Sequence, residues 1–358
     1  MHNLSIDQFR NLEPTKLSFS RRLNLFTGAN AAGKTSILEA LFILGRARSF
    51  RTRHLDKVTQ TGTSGFQIVA KVSLDGGRVV PVGIRRNEKQ LIARMDGENV
   101  KRLSDLAALF PIQWVGGNLH QLLEEGPAYR RQFLDWGLFH VEQSYIPAWK
   151  RFQKLLRQRN AILRKGGAPA EVAAWDAELA KEGTAMHLFR RDYITELQDV
   201  FEEIAATLLQ LAPSFEIRYR QGWPAEVTYA DALRSSVDKD RDQGFTRYGP
   251  QRADLAFYHA DKSVAERLSR GQQKLLVTAL HIAQAKVLKL GTGISSLFLL
   301  DDLGAELDTT NQARVINLLG EIDAQVFATA IELPDTSTWT SAELKRFHVE
   351  HGAVSEVV

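Results

Sequence analysis

The sequence predicts an α/β fold: a head built of a mixed sheet and an antiparallel β subdomain, with a helical hairpin inserted into it. Three observations predict this. A glycine-rich loop of phosphate-binding pattern stands near the N-terminus. A short apolar strand ending in two carboxylates stands near the C-terminus. Between them, from Pro127 to Leu211, the periodicity is helical.

The loop is Gly28-Ala29-Asn30-Ala31-Ala32-Gly33-Lys34-Thr35, which fits G-x-x-x-x-G-K-[ST]. Residues 23–27 before it read as a buried strand, and residues 36–44 after it read as a helix. A loop so placed turns its N–H groups inward at the positive end of the helix dipole. Gly28 and Gly33 let the backbone approach phosphate oxygens, and Asn30 and Ser36 belong to the same expected binding set. Lys34 is expected to act on the β- and γ-phosphates of ATP, and Thr35 to ligate Mg²⁺.

Composition narrows the classes. The chain has 358 residues, no cysteine and a formal net charge of +4. Without cysteine there are no disulfides, thiolate zinc sites or thiol nucleophiles. No apolar run has the length of a membrane-spanning helix, and residues 1–7 lack the basic and apolar regions of a signal peptide. A cytoplasmic location is therefore expected. The mild basic bias permits nucleic-acid binding without arguing for it.

In chain order, residues 1–27 read as short strands, with Phe9-Arg10-Asn11 at the end of the first. Past the first helix runs Arg46-Ala47-Arg48-Ser49-Phe50-Arg51-Thr52-Arg53-His54, either a solvated basic loop or a contact with phosphate. Two hairpins follow, turning at Asp75-Gly76-Gly77 and at Asp96-Gly97. Their cations, among them Arg78, Arg85, Arg94 and Lys101, outnumber their acids. Solvation of one face and contact with a phosphate backbone explain this about equally well. The helical stretch breaks at Gly166-Gly167-Ala168-Pro169, so residues 127–165 and 170–211 should pack antiparallel. Pro147 should kink or split the first helix. Met186, Phe189, Tyr193, Leu197, Val200, Ile204, Leu208 and Leu211 form one apolar seam, and a straight arm would reach roughly 60 Å. The first segment is strongly basic and the second strongly acidic, which is explained by mutual attraction.

The second chemical cluster begins at Leu268-Ser269-Arg270-Gly271-Gln272, ahead of an amphipathic helix. It resembles the L-S-G-G-Q signature of ABC-type ATPases, although taken alone a helix cap explains it better. Residues 296–300 then lead into Asp301 and Asp302. Asp301 should reach Mg²⁺, and Asp302 should face the attacking water as general base. Aspartate is one methylene shorter than the glutamate common at that place, so slow hydrolysis is expected. Ala305-Glu306-Leu307-Asp308 resembles the D-loop. Thr329 stands where a switch histidine is often found, and Gln113 is a possible Q-loop ligand to the metal. These motifs place an ABC-type ATPase head at 1–112 and 246–358, with a coiled-coil-like arm domain at 113–245.

In this order, around a short arm, the motifs resemble the RecF family of bacterial recombination mediators within the SMC-like ATPases. Arg10-Asn11, Arg48-Ser49-Phe50-Arg51-Thr52, residues 126–135 (the Pro-x-x-Arg-Arg-x-Phe-Leu-Asp segment) and Gly249-Pro250-Gln251-Arg252-Ala253-Asp254 carry the likeness beyond the ATPase motifs. The chain departs from the family at Gly116-Gly117-Asn118, Gln251 and Asn311. The resemblance implies nucleotide contacts by Arg10 and Asn11, and capping of a partner's γ-phosphate by Ser269, Arg270, Gly271 and Gln272. It implies an ATP-dependent homodimer that binds duplex DNA and single-strand/double-strand junctions. Work with RecR and RecO to load RecA, and a nucleoid-associated location, are implied likewise. The alternative is an ATP-gated protein-interaction switch not dedicated to DNA.

Overall fold

The computed structural model describes residues 1–73, 77–87, 90–117, 119, 121–331 and 343–357, apart from the side chains of Ala305 and Glu306. They form two compact units. One comprises Met1–Leu119 and Gly293–Val358, the other His120–Thr292.

The first unit opens with β1 (Asn3–Asp7), β2 (Thr15–Ser18), β3 (Leu23–Thr27) and helix α1 (Lys34–Arg46). It continues through β4 (Phe66–Ser73), β5 (Val79–Arg86), β6 (Leu91–Met95), β7 (Glu98–Asn99), α2 (Leu103–Leu109) and β8 (Ile112–Val115). The chain then builds the second unit from α3 (Gln121–Glu124), α4 (Pro127–Val141), α5 (Tyr145–Arg164), α6 (Pro169–Ala173) and α7 (Asp176–Leu209). To these it adds β9 (Phe215–Arg220), α8 (Tyr229–Gln243), β10 (Asp254–His259), β11 (Lys262–Ser263), α9 (Val264–Arg267) and α10 (Arg270–Thr292). It returns to the first unit with β12 (Leu297–Leu300), α11 (Leu303–Glu306), α12 (Thr309–Glu321), β13 (Gln325–Ala330), β14 (Leu344–Glu350) and β15 (Ala353–Val357).

Among the described residues, one sheet of the first unit has the order β15-β14-β3-β13-β12-β8. Its neighbours pair in parallel except β14 with β15. Strands β12 and β13 are buried throughout, as a parallel sheet covered on both faces requires. The other sheet, β2-β1-β4-β5-β6-β7, is antiparallel and alternates inward apolar with outward exposed positions. Helix α1 is buried over most of its length, and Ile37, Leu41 and Leu44 share one core with Ile68 and Val82 and with Phe327 and Phe347. A helix apolar on nearly every side is stable only in such a setting.

The expected hairpins are present as β4–β5 and β6–β7. Asp75 and Gly76 of the first turn lie outside the described residues. In the second, Asp96 and Gly97 both have positive φ (53° and 86°), the requirement of a type I′ turn.

In the second unit the first helical stretch splits at residues 142–144, so Pro147 lies in the first turn of α5, where its missing N–H costs nothing. The second stretch gives the short α6 and the long α7. The two helices run antiparallel: Arg151 meets Glu182 and Arg159 meets Asp176, each at 2.7 Å, so rising numbers on one face falling numbers on the other. The expected charge attraction is thus made in pairs. The seam residues Met186, Tyr193, Leu197, Ile204 and Leu208 are buried, with Phe201 and Ile194 widening the stripe. It serves two neighbours, because α7 packs along α10 as well as α5. Residues 246–292 therefore group with the helices, whereas the motif-based expectation joined them to the head and ended the arm at residue 245. The helix is also shorter than a roughly 60 Å arm, since α7 is interrupted from α6 at Ala174 and Trp175.

Candidate functional site

Parallel strands expose their C-terminal ends on one edge, and a cavity of about 480 Å³ lies there in the first unit. The loop after β3 forms one wall. Gly28 has φ 149° and Gly33 has φ 122°. A Cβ on Gly28 would fall 2.1 Å from the Val349 carbonyl oxygen, so glycine is required there. Lys34 is buried, and its Nζ donates to the carbonyls of Gly28 (2.6 Å) and Ala29 (2.8 Å).

The opposite wall comes from β12. Asp301 follows its last residue, and its Oδ1 accepts from Thr35 Oγ1 at 2.9 Å and from Thr329 Oγ1 at 2.8 Å. Strand β13 runs between β3 and β12 in the sheet, so Thr329 sits between the two walls. The backbone N–H of Asp302 donates to Thr329 Oγ1 at 2.8 Å. Asp302 is left-handed (φ 53°, ψ 55°), a conformation aspartate tolerates, and it faces the cavity.

Charge follows burial. Burial is the largest influence on Asp301 and raises its pKa; the hydroxyls of Thr329 and Thr35 oppose it, Asp302 adds to it, and Arg51 opposes it. Burial also lowers the pKa of Lys34, against the pull of Asp302 and Asp301. Two cations, Lys34 and Arg51, and two carboxylates, Asp301 and Asp302, thus line one pocket. A hydroxyl and a carboxylate 2.9 Å apart are the hard oxygen donors that suit Mg²⁺, so the residues present fit the expected ion.

Asn11 joins this site: its Oδ1 accepts from Ser36 Oγ at 3.0 Å and its Nδ2 donates to the Ala31 carbonyl at 3.3 Å. Asn30 lines the cavity. Arg10 turns elsewhere. Its Nε and Nη2 donate to both oxygens of Glu39 at 2.9 and 2.7 Å. Glu39 is fully buried and also accepts from Ser49 Oγ, with Arg51 Nη1 at 3.5 Å. The basic segment after α1 is therefore folded around a buried carboxylate that carries Arg51 to the cavity edge. Sequence reading passed over Glu39. Its signal was a lone acid within the apolar run Ile37–Leu44.

Gln113 is not brought to this cavity. It lies within β8 opposite Phe298, two residues short of Val115, which stands level with Leu300 at the strand ends. It is buried there, inside the sheet. Of the departures from the family pattern, Asn118 lies outside the described residues, and so do the side chains of Ala305 and Glu306 in the D-loop. Asp308 caps α12, accepting from the Asn311 N–H at 2.9 Å and from Asn311 Nδ2 at 2.7 Å.

The signature residues lie in the second unit. Ser269 Oγ accepts from the Gln272 N–H at 3.3 Å, and Gln272 Oε1 accepts from the Ser269 N–H at 3.0 Å. This reciprocal capping box starts α10. Ser269, Arg270 and Gly271 are exposed.

Two other segments from the sequence meet in this unit. Arg130 binds Asp254 through two hydrogen bonds (2.7 and 3.1 Å), and Arg131 donates to the Ala253 carbonyl. Arg190 donates to Asp135 at 2.7 Å and to the Pro250 carbonyl at 2.8 Å, while Tyr145 donates to Asp135. The Pro-x-x-Arg-Arg-x-Phe-Leu-Asp and Gly-Pro-Gln-Arg-Ala-Asp segments are thereby clamped to one another. Their residue pattern reflects this packing.

Comparison with known proteins agrees with the geometry. The sequence profile described as RecF/RecN/SMC N terminal domain matches residues 1–354. The DNA replication and repair protein RecF of Pseudomonas paraeruginosa is 42% identical over 357 residues, covering 99% of this chain and 96% of that protein. RecF of Pseudomonas putida is 41% identical over 360 residues, covering 99% and 98%. The fold matches a recombination mediator protein RecF solved with ATP, at TM-score 0.87 and 22% identity, over 100% of this chain and 97% of that one. It also matches an Smc head bound to the C-winged helix domain of ScpA, at TM-score 0.60 and 14% identity, over 99% and 96%.

Proposed function

The chain belongs to the RecF/RecN/SMC family, on its RecF branch, and from that premise we propose that it is an ATP-switched, DNA-binding recombination mediator. The observation that carries the ATP part is the convergence of Thr35, Thr329 and the Asp302 backbone on the Asp301 corner, across the cavity from the phosphate loop. The mediator part rests on identity to RecF proteins along nearly the whole chain.

Lys34 exchanges its two loop carbonyls for the β- and γ-phosphates, where its charge is better matched. Gly28, Asn30, Gly33 and Ser36 supply the cradle, and Asn11 holds its rim through Ser36 and Ala31. Thr35 and Asp301 would hold Mg²⁺, which would supply positive charge against the phosphate oxygens. Asp302 accepts the proton of the attacking water. Its backbone is fixed by Thr329 and its side chain is short, so turnover is slow and serves as a reset.

Ser269, Arg270, Gly271 and Gln272 present a helix N-terminus to solvent, a preformed anion site for nucleotide held by a second copy. ATP therefore drives a symmetric homodimer that buries two nucleotides. The dimer holds duplex DNA and single-strand/double-strand junctions in the cytoplasm, at the nucleoid. There it works with RecR and RecO so that RecA loads at gaps and stalled forks.

Fluorescence anisotropy with a labelled gapped duplex tests this reading, with and without a non-hydrolysable ATP analogue and at fixed salt. Tighter binding with the analogue is expected. Absence of DNA binding in both states would move the function to an ATP-gated protein-interaction switch.

A further inference from the structure

The antiparallel sheet of the first unit has an outward face that breaks its own rule. A sheet with one solvated face should alternate apolar inward and polar outward. Strands β1 and β2 do so, with Asn3, Ser5, Asp7, Lys16 and Ser18 outward. On strands β4 to β6 the outward row is mixed, polar at Gln67, Lys71 and Ser73 but interrupted by apolar residues. The inward residues of these strands are apolar, yet Val69, Val79, Pro81 and Ile92 lie on the outward side, and Val79 is 47% exposed. At their centre is Gly83, paired across the strands with Val69 and Arg94. The missing side chain leaves a groove of about 310 Å³ floored by Val69, Pro81, Gly83 and Ile92.

Two guanidiniums frame the groove. Arg85 is exposed and its guanidinium makes no hydrogen bond or ion pair among the described residues; Arg94 is exposed and its Nε donates to Asn99 Oδ1 at 3.1 Å. Lys71 stands on the same face beside Pro81, and Asp7 is the acid nearest on β1. An apolar trough rimmed by exposed cations that pair with no acid among the described residues is the complement of an acidic chain bearing apolar side chains.

We propose that this groove is a docking site for an acidic peptide segment of a partner protein, with an apolar side chain seated over Gly83 and carboxylates on Arg85 and Arg94. A nucleic acid fits less well. Phosphates would meet the cations, but bases stack on aromatic rings, and the groove is lined by none. A second copy of the same face fits worst, since it would set Arg85 and Arg94 against their own counterparts.

Anisotropy of a fluorescein-labelled peptide of alternating Asp and Leu, titrated with the full chain at fixed salt, tests the proposal. Peptides of alternating Asp and Ser, and of alternating Lys and Leu, are the comparison. The Asp–Leu peptide should bind at least about tenfold more tightly than either. Arg85→Glu should weaken it about tenfold by reversing a rim charge, and Gly83→Leu similarly by filling the floor. Neither change touches the nucleotide cavity, so ATP-analogue binding should be unchanged. Arg85→Glu stands on the surface, so it remains informative even where Gly83→Leu disturbs the sheet at Val69. Equal binding of the three peptides, or undiminished binding by Arg85→Glu, would overturn the proposal. Loss of gapped-duplex affinity in Arg85→Glu with peptide affinity intact would also overturn it, assigning the face to a phosphate backbone.

Discussion

The phosphate loop and the signature turn both present a helix N-terminus, and they are finished in different ways. At the phosphate loop, segments far apart in sequence converge. Asn11 bonds Ser36, Thr35 bonds Asp301, and Thr329 bonds both Asp301 and the Asp302 backbone. At the signature turn, Ser269 and Gln272 satisfy one another, and the space above the Gly271 Cα is open. The first is a pocket assembled from distant segments of its own unit. The second is capped by its own residues and leaves Ser269, Arg270 and Gly271 exposed.

Substitutions sharpen or break this contrast. The largest effect is expected for Asp302→Asn, which removes the base while keeping the shape. Steady-state ATP hydrolysis should fall by about 10²–10⁴-fold, leaving a persistent ATP-bound dimer in light scattering. Normal turnover would move the base elsewhere. Lys34→Met removes the cation that bonds the loop carbonyls of Gly28 and Ala29 and should weaken nucleotide binding about a hundredfold, measured by titration calorimetry, and abolish nucleotide-driven dimers. Ser269→Arg should leave nucleotide affinity of the isolated chain within about twofold while blocking dimers, because its bonds are local. A loss of affinity equal to that of Lys34→Met would erase the distinction between the two regions. Thr329→Val leaves Asp301 and the Asp302 N–H each short of a partner, at a cost of about 1–3 kcal/mol in chemical denaturation.

The raised pKa of Asp301 adds a pH dependence with a definite sign. A carboxyl whose folded pKa is raised contributes stability that is present below its unfolded pKa and lost as pH rises through the folded value. Metal binding runs the other way, since the ligand must be ionised. Mg²⁺-dependent nucleotide affinity should therefore decline on acidification at a higher pH than for an ordinary aspartate. Thr329→Val should move that decline higher still, because the Thr329 hydroxyl favours the ionised form.

Much of this was legible in the sequence because it is local. The phosphate loop, the strand before Asp301 and the helix after Ser269 are contiguous, and each carries its own period and its own turn residues. The charge asymmetry of the helical hairpin resolved into Arg151–Glu182 and Arg159–Asp176 for the same reason. What was not legible depends on which strands lie side by side. Gln113 precedes the helical insertion as a Q-loop residue would, but its register opposite Phe298 keeps it inside the sheet. Glu39 gained its meaning only when Arg10, Ser49 and Arg51 were brought to it from both sides. The long seam on α7 announced a buried helix without saying that α10 would share it. Residues 246–292 were accordingly expected in the head, although they pack with the helices.

The most direct test of the central claim, that the two regions are halves of one site completed by a second copy, is a mixing experiment. Lys34→Met and Ser269→Arg chains are combined with a non-hydrolysable ATP analogue, and molar mass is followed by light scattering. Each variant alone should remain monomeric. The mixture should form dimers holding one nucleotide, because the intact loop of one chain meets the intact signature turn of the other. A mixture that stays monomeric under conditions where the unaltered chain dimerises would contradict the account.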